Sequence, residues 1–215
     1  MLLLVFSLVT AFLASCRPIQ GQPPNMEEGN IPAFSHIFTI VMENKEYTKI
    51  IGDNQAPYLN SLARGYAVAT NNYDITHPSL PNYLALTGGK TFGLSQDCTT
   101  CFRQASNSPE EIEASGSRWK GYMESMPTHC YIGNSPNGLY MQKHNPFLYY
   151  YDIRANRGRC ATHVVPFTQF STDLAANHLS NYVWITPNMC HDMHDCSYVS
   201  WIGRAFAVRL KLLLM

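Results

Sequence analysis

Four short polar segments of this 215-residue sequence bring together residue types that do chemistry on anions or hold cations. The first is Glu43-Asn44, a carboxylate beside an amide carbonyl, an oxygen-rich pair suited to a hard or borderline cation. Its plainer alternative is a solvated loop start in which the Asn bonds its own backbone. The second runs from Thr76 to Tyr83 and carries His77 and Ser79 at the start of a helical pattern. A hydroxyl there faces unpaired N–H groups and the positive end of the helix dipole, which attract phosphate and favour an alkoxide nucleophile. Ser79 read as a simple N-cap is the competing account, since that is the commonest role of Ser at such a position. The third is Lys143-His144-Asn145-Pro146-Phe147. The fourth packs His191, Asp192, His194 and Asp195 into five residues between Cys190 and Cys196. A single His is usually structural, whereas a His/Asp cluster of this density reads as a metal or phosphate site.

These segments need elements to hold them. Residues 36–42 form a β-branched, nearly continuous apolar run, the pattern of a strand buried on both faces of a parallel sheet. Residues 66–70, 119–123 and 182–186 read as further strands. Helices are expected at 56–63, with Pro57 near the start, and at 79–87, ended by Gly88-Gly89. A third is expected at 108–115, opened by a Ser108-Pro-Glu-Glu111 capping box, and a fourth at 171–178, with Asp173 in its first turn. Strands alternating with helices predict an α/β fold with a mainly parallel sheet. Glu43 and the 187–195 segment each follow a strand, and open parallel sheets bind ligands beyond the carboxyl ends of their strands.

Composition narrows the classes. Fifteen Lys+Arg balance fifteen Asp+Glu, which argues against a nucleic-acid-binding surface. With 14% charged and 46% hydrophobic residues, the chain buries enough apolar surface to order itself. No stretch reaches the run of about 18 apolar residues that a membrane span needs. Residues 1–14 are uncharged and mostly apolar, and read as the core of an export signal. Leu13-Ala14-Ser15-Cys16 resembles a bacterial lipobox, which makes Cys16 a lipidation candidate and a lipid anchor the one route to a membrane. An ordinary cleaved signal is the alternative. Residues 17–31 are rich in Pro, Gly and polar side chains, as in a tether. The chain is therefore expected to be exported, as a cell-envelope lipoprotein or a secreted protein. Six Cys remain, an even number that fits three disulfides. Proximity along the chain pairs Cys98 with Cys101, Cys130 with Cys160 and Cys190 with Cys196. A zinc site on Cys98-x-x-Cys101 lacks a second ligand pair at finger-like spacing, and a redox role lacks a thioredoxin-like context.

Together, in this order, VMENKEY (41–47), THPSLPNYLALTGG (76–89), KHNPF (143–147) and ITPNMCHDMHD (185–195) resemble the phosphoesterase family that includes secreted acid phosphatases and bacterial phospholipases C. The resemblance spans about residues 34–196 and assigns residues 32–197 to one such domain. It implies an alkaline-phosphatase-like core, an α/β sheet with helices on both faces. It implies that Glu43, Asn44 and Ser79 hold a divalent metal ion, that Ser79 is the nucleophile, and that His144 and His194 stand near the phosphoryl oxygens or the leaving group. His77, His191, Asp192 and Asp195 are additional candidates, the two acids as orienters of the histidines. Family members continue into a later strand ending in an acidic pair. Here the last acidic residue is Asp195, and residues 198–215 form an apolar, basic tail without a family motif. The domain is thus expected to be incomplete at its C-terminus and weak in turnover. The reaction implied is metal-assisted hydrolysis of a phosphoester through a phosphoseryl intermediate, on a monoester, phospholipid or nucleotide. The alternatives are an inactive remnant that binds phosphate or metal, and a non-catalytic, disulfide-stapled envelope protein.

Overall fold

The apolar runs at 36–42, 119–123 and 182–186 become the strands β1 (Ile37–Ile40), β2 (Trp119–Met123) and β4 (Tyr182–Thr186). A fourth, β3 (Val164–Pro166), is three residues long. In the computed structural model, which describes residues 33–196, these form one parallel sheet in the order β1-β4-β2-β3. The expected signal, Cys16, the tether and the 198–215 tail lie outside the described residues. Tyr182 lies opposite both Ile37 and Trp119, and Gly121 opposite Val164, so β4 and β2 are the interior strands and all four carboxyl ends emerge along one edge.

Seven α-helical segments accompany the sheet among the described residues: α1 (Tyr47–Ile50), α2 (Pro57–Gly65), α3 (Ser79–Gly88), α4 (Ser108–Ala114), α5 (Tyr151–Arg154), α6 (Arg157–His163) and α7 (Thr168–Ala175). The period-2 alternation of the strands gives the sheet two apolar faces. Trp119, Met123, Val164 and Trp184 pack on one face with Leu80, Tyr83 and Leu84 of α3, Phe147, Leu148 and Ile153. Tyr122, Val165, Val183 and Ile185 pack on the other with Phe167, Phe170 and Leu174 around α7. Helices therefore cover both faces, as the α/β reading requires. A Cβ on Gly121 would come within 2.7 Å of the Phe147 ring, so the close seating of that ring depends on Gly at this position. No helix among the described residues is long and apolar enough to cross a membrane.

Three expectations on elements are corrected. Residues 66–70 are irregular rather than a strand; Tyr66 is 80% exposed, and the apolar run there has no sheet partner. The cap of α4 is Asn107, whose side chain accepts from Glu110 N at 3.2 Å, and Ser108 is already inside the helix. The last helix begins three residues before the expected start because it follows β3 closely, which puts Asp173 near its end. The disulfides join Cys98 to Cys101, Cys130 to Cys160 and Cys190 to Cys196. The Cys130–Cys160 bridge closes a loop whose lost chain entropy corresponds to about 3–4 kcal/mol.

Candidate active site

Parallel pairing of β1 with β4 brings the segments that succeed them to the same edge. Val41 N donates to Ile185 O at 3.1 Å, and Glu43 N donates to Asp192 O at 2.8 Å. Asn44 then turns the chain with φ of 60°, a left-handed conformation that Asn tolerates better than most residues. Glu43 and Asp192, far apart in sequence, thereby become neighbours.

Ser79 is delivered by α3. Its approach loop is tied by Asn82: Oδ1 accepts from Ile75 N at 3.0 Å and Thr76 N at 3.2 Å, and Nδ2 donates to Thr76 O at 2.6 Å and Pro78 O at 3.1 Å. The N-cap position of α3 belongs to Pro78, without a side-chain cap, and Ser79 is the first helical residue. The Ser79 hydroxyl donates to Glu43 Oε2 at 3.0 Å rather than bonding the helix backbone. The capping account of Ser79 therefore falls. Leu80 N, one of the free donors at this helix start, is taken by Asp97 Oδ1 at 2.9 Å.

His144 ends a short 3₁₀ turn, Gln142–His144. Its carbonyl accepts from Thr186 Oγ1 at 3.1 Å, and Thr186 Oγ1 in turn accepts from Trp184 Nε1 at 2.8 Å, so the end of β4 sets its position. The imidazole stacks on Tyr83, with centroids 5.1 Å apart and planes at 10°. Its two nitrogens face two carboxylates: Nε2 is 3.1 Å from Glu43 Oε1, and Nδ1 is 3.2 Å from Asp192 Oδ2. These are ion-pair distances with poor hydrogen-bond alignment. His144 Nε2 and Asp192 Oδ2 are both buried without a hydrogen bond. The Tyr83 hydroxyl is likewise buried, and burial, reinforced by the Glu43 and Asp192 carboxylates, pushes its pKa well up. An unsatisfied buried polar group costs about 1–3 kcal/mol, which makes His144 Nε2 and Asp192 Oδ2 an open polar pair behind the cleft wall.

The fourth segment divides. Asp192 Oδ1 accepts from His194 N at 2.7 Å, and His194 Nδ1 lies 2.6 Å from Asp195 Oδ1. His191 turns away, to Glu124 at 2.9 Å, and Glu124 also accepts from Asn188 N. Glu43, Asn44, His77, Ser79 and His194 line a common cleft of about 240 Å³, together with Asp74, Asn82, Tyr83 and Lys143. His144 and Asp192 stand behind that wall, 2% and 0% exposed. Glu43, His144 and His194 each present a ligand atom within 4.8 Å of the others. Sequence reasoning missed Asp97, Asn82, Tyr83 and Asp74. Tyr83 could have been found, because it is four residues after Ser79 and so on the same helix face; Asp97 carries no local signal.

The strand ends of a parallel sheet thus gather a helix-initial serine, two carboxylates and two imidazoles at and behind the wall of one cleft, the arrangement of an α/β enzyme. The chain belongs to the phosphoesterase family, whose model matches residues 52–214. It is 33% identical over 180 residues to the phosphatidylinositol-3-phosphatase of Mycobacterium tuberculosis, covering 81% of this chain and 57% of that protein. It is 32% identical over 214 residues to an acid phosphatase of Aspergillus fumigatus, covering 92% of this chain and 45% of that one. A probable acid phosphatase of Kluyveromyces lactis is 34% identical over 170 residues, covering 76% and 39% respectively. The chain spans about half the length of the curated relatives it matches.

Proposed function

We propose that this protein is a phosphatase that hydrolyses phosphomonoesters through Ser79. The observation that carries this is the Ser79 hydroxyl, first in its helix, open to the cleft and bonded to Glu43 instead of to backbone. The names of the relatives, acid phosphatase and phosphatidylinositol-3-phosphatase, support a monoester as the substrate class.

Ser79 Oγ attacks phosphorus while its proton passes to Glu43 Oε2. The new Oγ–P bond forms as the bond to the leaving oxygen breaks. His194, oriented by Asp195, gives that oxygen its proton, a task suited to an imidazole near or below neutral pH. Water then gives its proton to His194 and attacks the phosphoseryl group; the Oγ–P bond breaks, orthophosphate leaves, and Ser79 Oγ recovers its proton from Glu43. Glu43, Asn44, Ser79 and the Nε2 of His144 would hold a divalent cation. The fit rests on the buried His144 Nε2, which has no hydrogen bond, and on the ligand atoms of Glu43, His144 and His194 lying within 4.8 Å of one another, carboxylate and imidazole donors of the kind that suit borderline metals. When bound, such an ion supplies Lewis-acid polarisation and a lowered pKa for a coordinated hydroxyl. The three disulfides favour an oxidising compartment, in keeping with export.

The test is Ser79→Ala, assayed on p-nitrophenyl phosphate with Mg²⁺, Mn²⁺, Ca²⁺ or Zn²⁺ added in turn. Turnover should fall by at least about 10³-fold, as loss of a covalent nucleophile does, with the melting temperature nearly unchanged. Full activity in the variant would overturn the proposal.

A further inference from the structure

A phosphomonoester brings up to two negative charges into a cleft that already holds the Glu43 and Asp74 carboxylates. Among the described residues lining that cleft, Lys143 is the only Lys or Arg. Its ammonium lies 3.2 Å from Asp97 Oδ2, and both side chains are largely shielded, at 17% and 28% exposure. The other oxygen of Asp97 accepts the Leu80 N–H, one residue past Ser79. One carboxylate thus ties together the start of the nucleophile's helix and the cation on the cleft wall. Asp97 is itself anchored through the disulfide loop on its C-terminal side. Cys98 and Cys101 close that short loop, Tyr149 Oη donates to Cys98 O at 2.6 Å, and Gln142 Nε2 donates to Thr99 O at 3.2 Å. Gln142 precedes Lys143, so the two loops are braced against each other.

Building on the phosphatase reading, we propose that Lys143 binds the non-bridging oxygens of the substrate's phosphoryl group, and that Asp97 is the positioning residue that fixes Lys143 relative to Ser79. An ammonium has three donors; one satisfies Asp97 and the others remain for phosphate. The ammonium also favours a dianion over a neutral or singly charged ester, because its attraction grows with the charge it faces.

The full chain is tested with inorganic phosphate by calorimetry and with p-nitrophenyl phosphate by steady-state kinetics. Lys143→Met should raise the phosphate Kd and the KM about tenfold or more, the size of a lost charge-assisted hydrogen bond. Lys143→Arg should stay within about threefold, since the charge is kept. Asp97→Asn keeps an acceptor for Leu80 N–H but sets an amide N–H₂ against the ammonium, so phosphate should bind more weakly. Tighter phosphate binding in Asp97→Asn would mean that Asp97 only neutralises Lys143, and would overturn the positioning role. Wild-type phosphate affinity in both Lys143→Met and Lys143→Gln, with melting temperatures kept, would overturn the proposal. If phosphate binding depends on Lys143 but no turnover is found, the hydrolytic reading fails and this one stands. If Ser79-dependent turnover is found while Lys143→Met binds phosphate normally, the reverse holds.

Discussion

Carboxylates stand at two places on this sheet, and their surroundings differ in kind. On one face Asp173 of α7 meets a complete set of donors. Its Oδ2 accepts from Lys120 Nζ at 2.8 Å and Tyr122 Oη at 2.7 Å, and its Oδ1 accepts from Gln169 Nε2 at 2.9 Å. Charge is balanced by Lys120, and neither carboxylate oxygen lacks a partner. At the carboxyl edge, Glu43 and Asp192 share one imidazole between them, and both His144 Nε2 and Asp192 Oδ2 stay unbonded. A closed polar network stabilises and specifies packing; an open one beside a cleft keeps binding capacity in reserve. The difference separates a closed carboxylate network from an open one without appeal to motif.

The largest effect is expected at the open cluster. A divalent cation that occupies it should stabilise the native protein, by about 2.7 kcal/mol at a hundredfold excess over Kd. Thermal melts with and without Mn²⁺ should therefore show a clear upward shift in the wild type and none in Glu43→Ala. An equal shift in the variant would place the cation elsewhere.

The closed network should respond in stability alone. Asp173→Asn should cost about 1–3 kcal/mol in denaturant unfolding at neutral pH, with phosphatase activity per folded molecule unchanged. Its pH dependence is specific. Burial raises the Asp173 pKa, but hydrogen bonds from Lys120, Tyr122 and Gln169 outweigh it and hold the carboxyl below its ordinary value. Its contribution is then fully present above the unfolded value of about 3.9 and is lost as pH falls through the lower folded value. The stability gap between wild type and Asp173→Asn should shrink below about pH 4. A gap that persists in acid would mean that the asparagine disrupts packing rather than charge.

A smaller effect is expected away from both clusters. Asn107→Ala should remove the α4 cap at a cost of about 1 kcal/mol, read by denaturant midpoint, and Ser108→Ala should cost much less. Equal costs would restore the capping box.

That last contrast shows where the sequence was legible. The apolar runs of β1, β2 and β4 and the Gly-terminated α3 carried their own signals, since burial on both faces and a helix stop are local patterns. Glu43, Ser79 and His194 were recognisable from motif order and do line one cleft. The hidden features depend on three-dimensional pairing. The three residues of β3 are too few to show a period, and residues 66–70 have strand-like types but no partner. His191 and His194 look alike in sequence, yet the fold hands one to Glu124 and the other to the cleft. Asp97 reaches α3 only because its disulfide loop is braced by Tyr149 and Gln142.

The central claim is that Ser79 accepts the phosphoryl group before water does, and the stereochemical course at phosphorus tests it most directly. The substrate is a monoester with a chirally isotope-labelled phosphoryl group, transferred to an added acceptor alcohol. Two successive in-line displacements, first by Ser79 and then by the acceptor, predict net retention of configuration. Net inversion would mean that the acceptor attacks the substrate directly and that Ser79 is not the nucleophile.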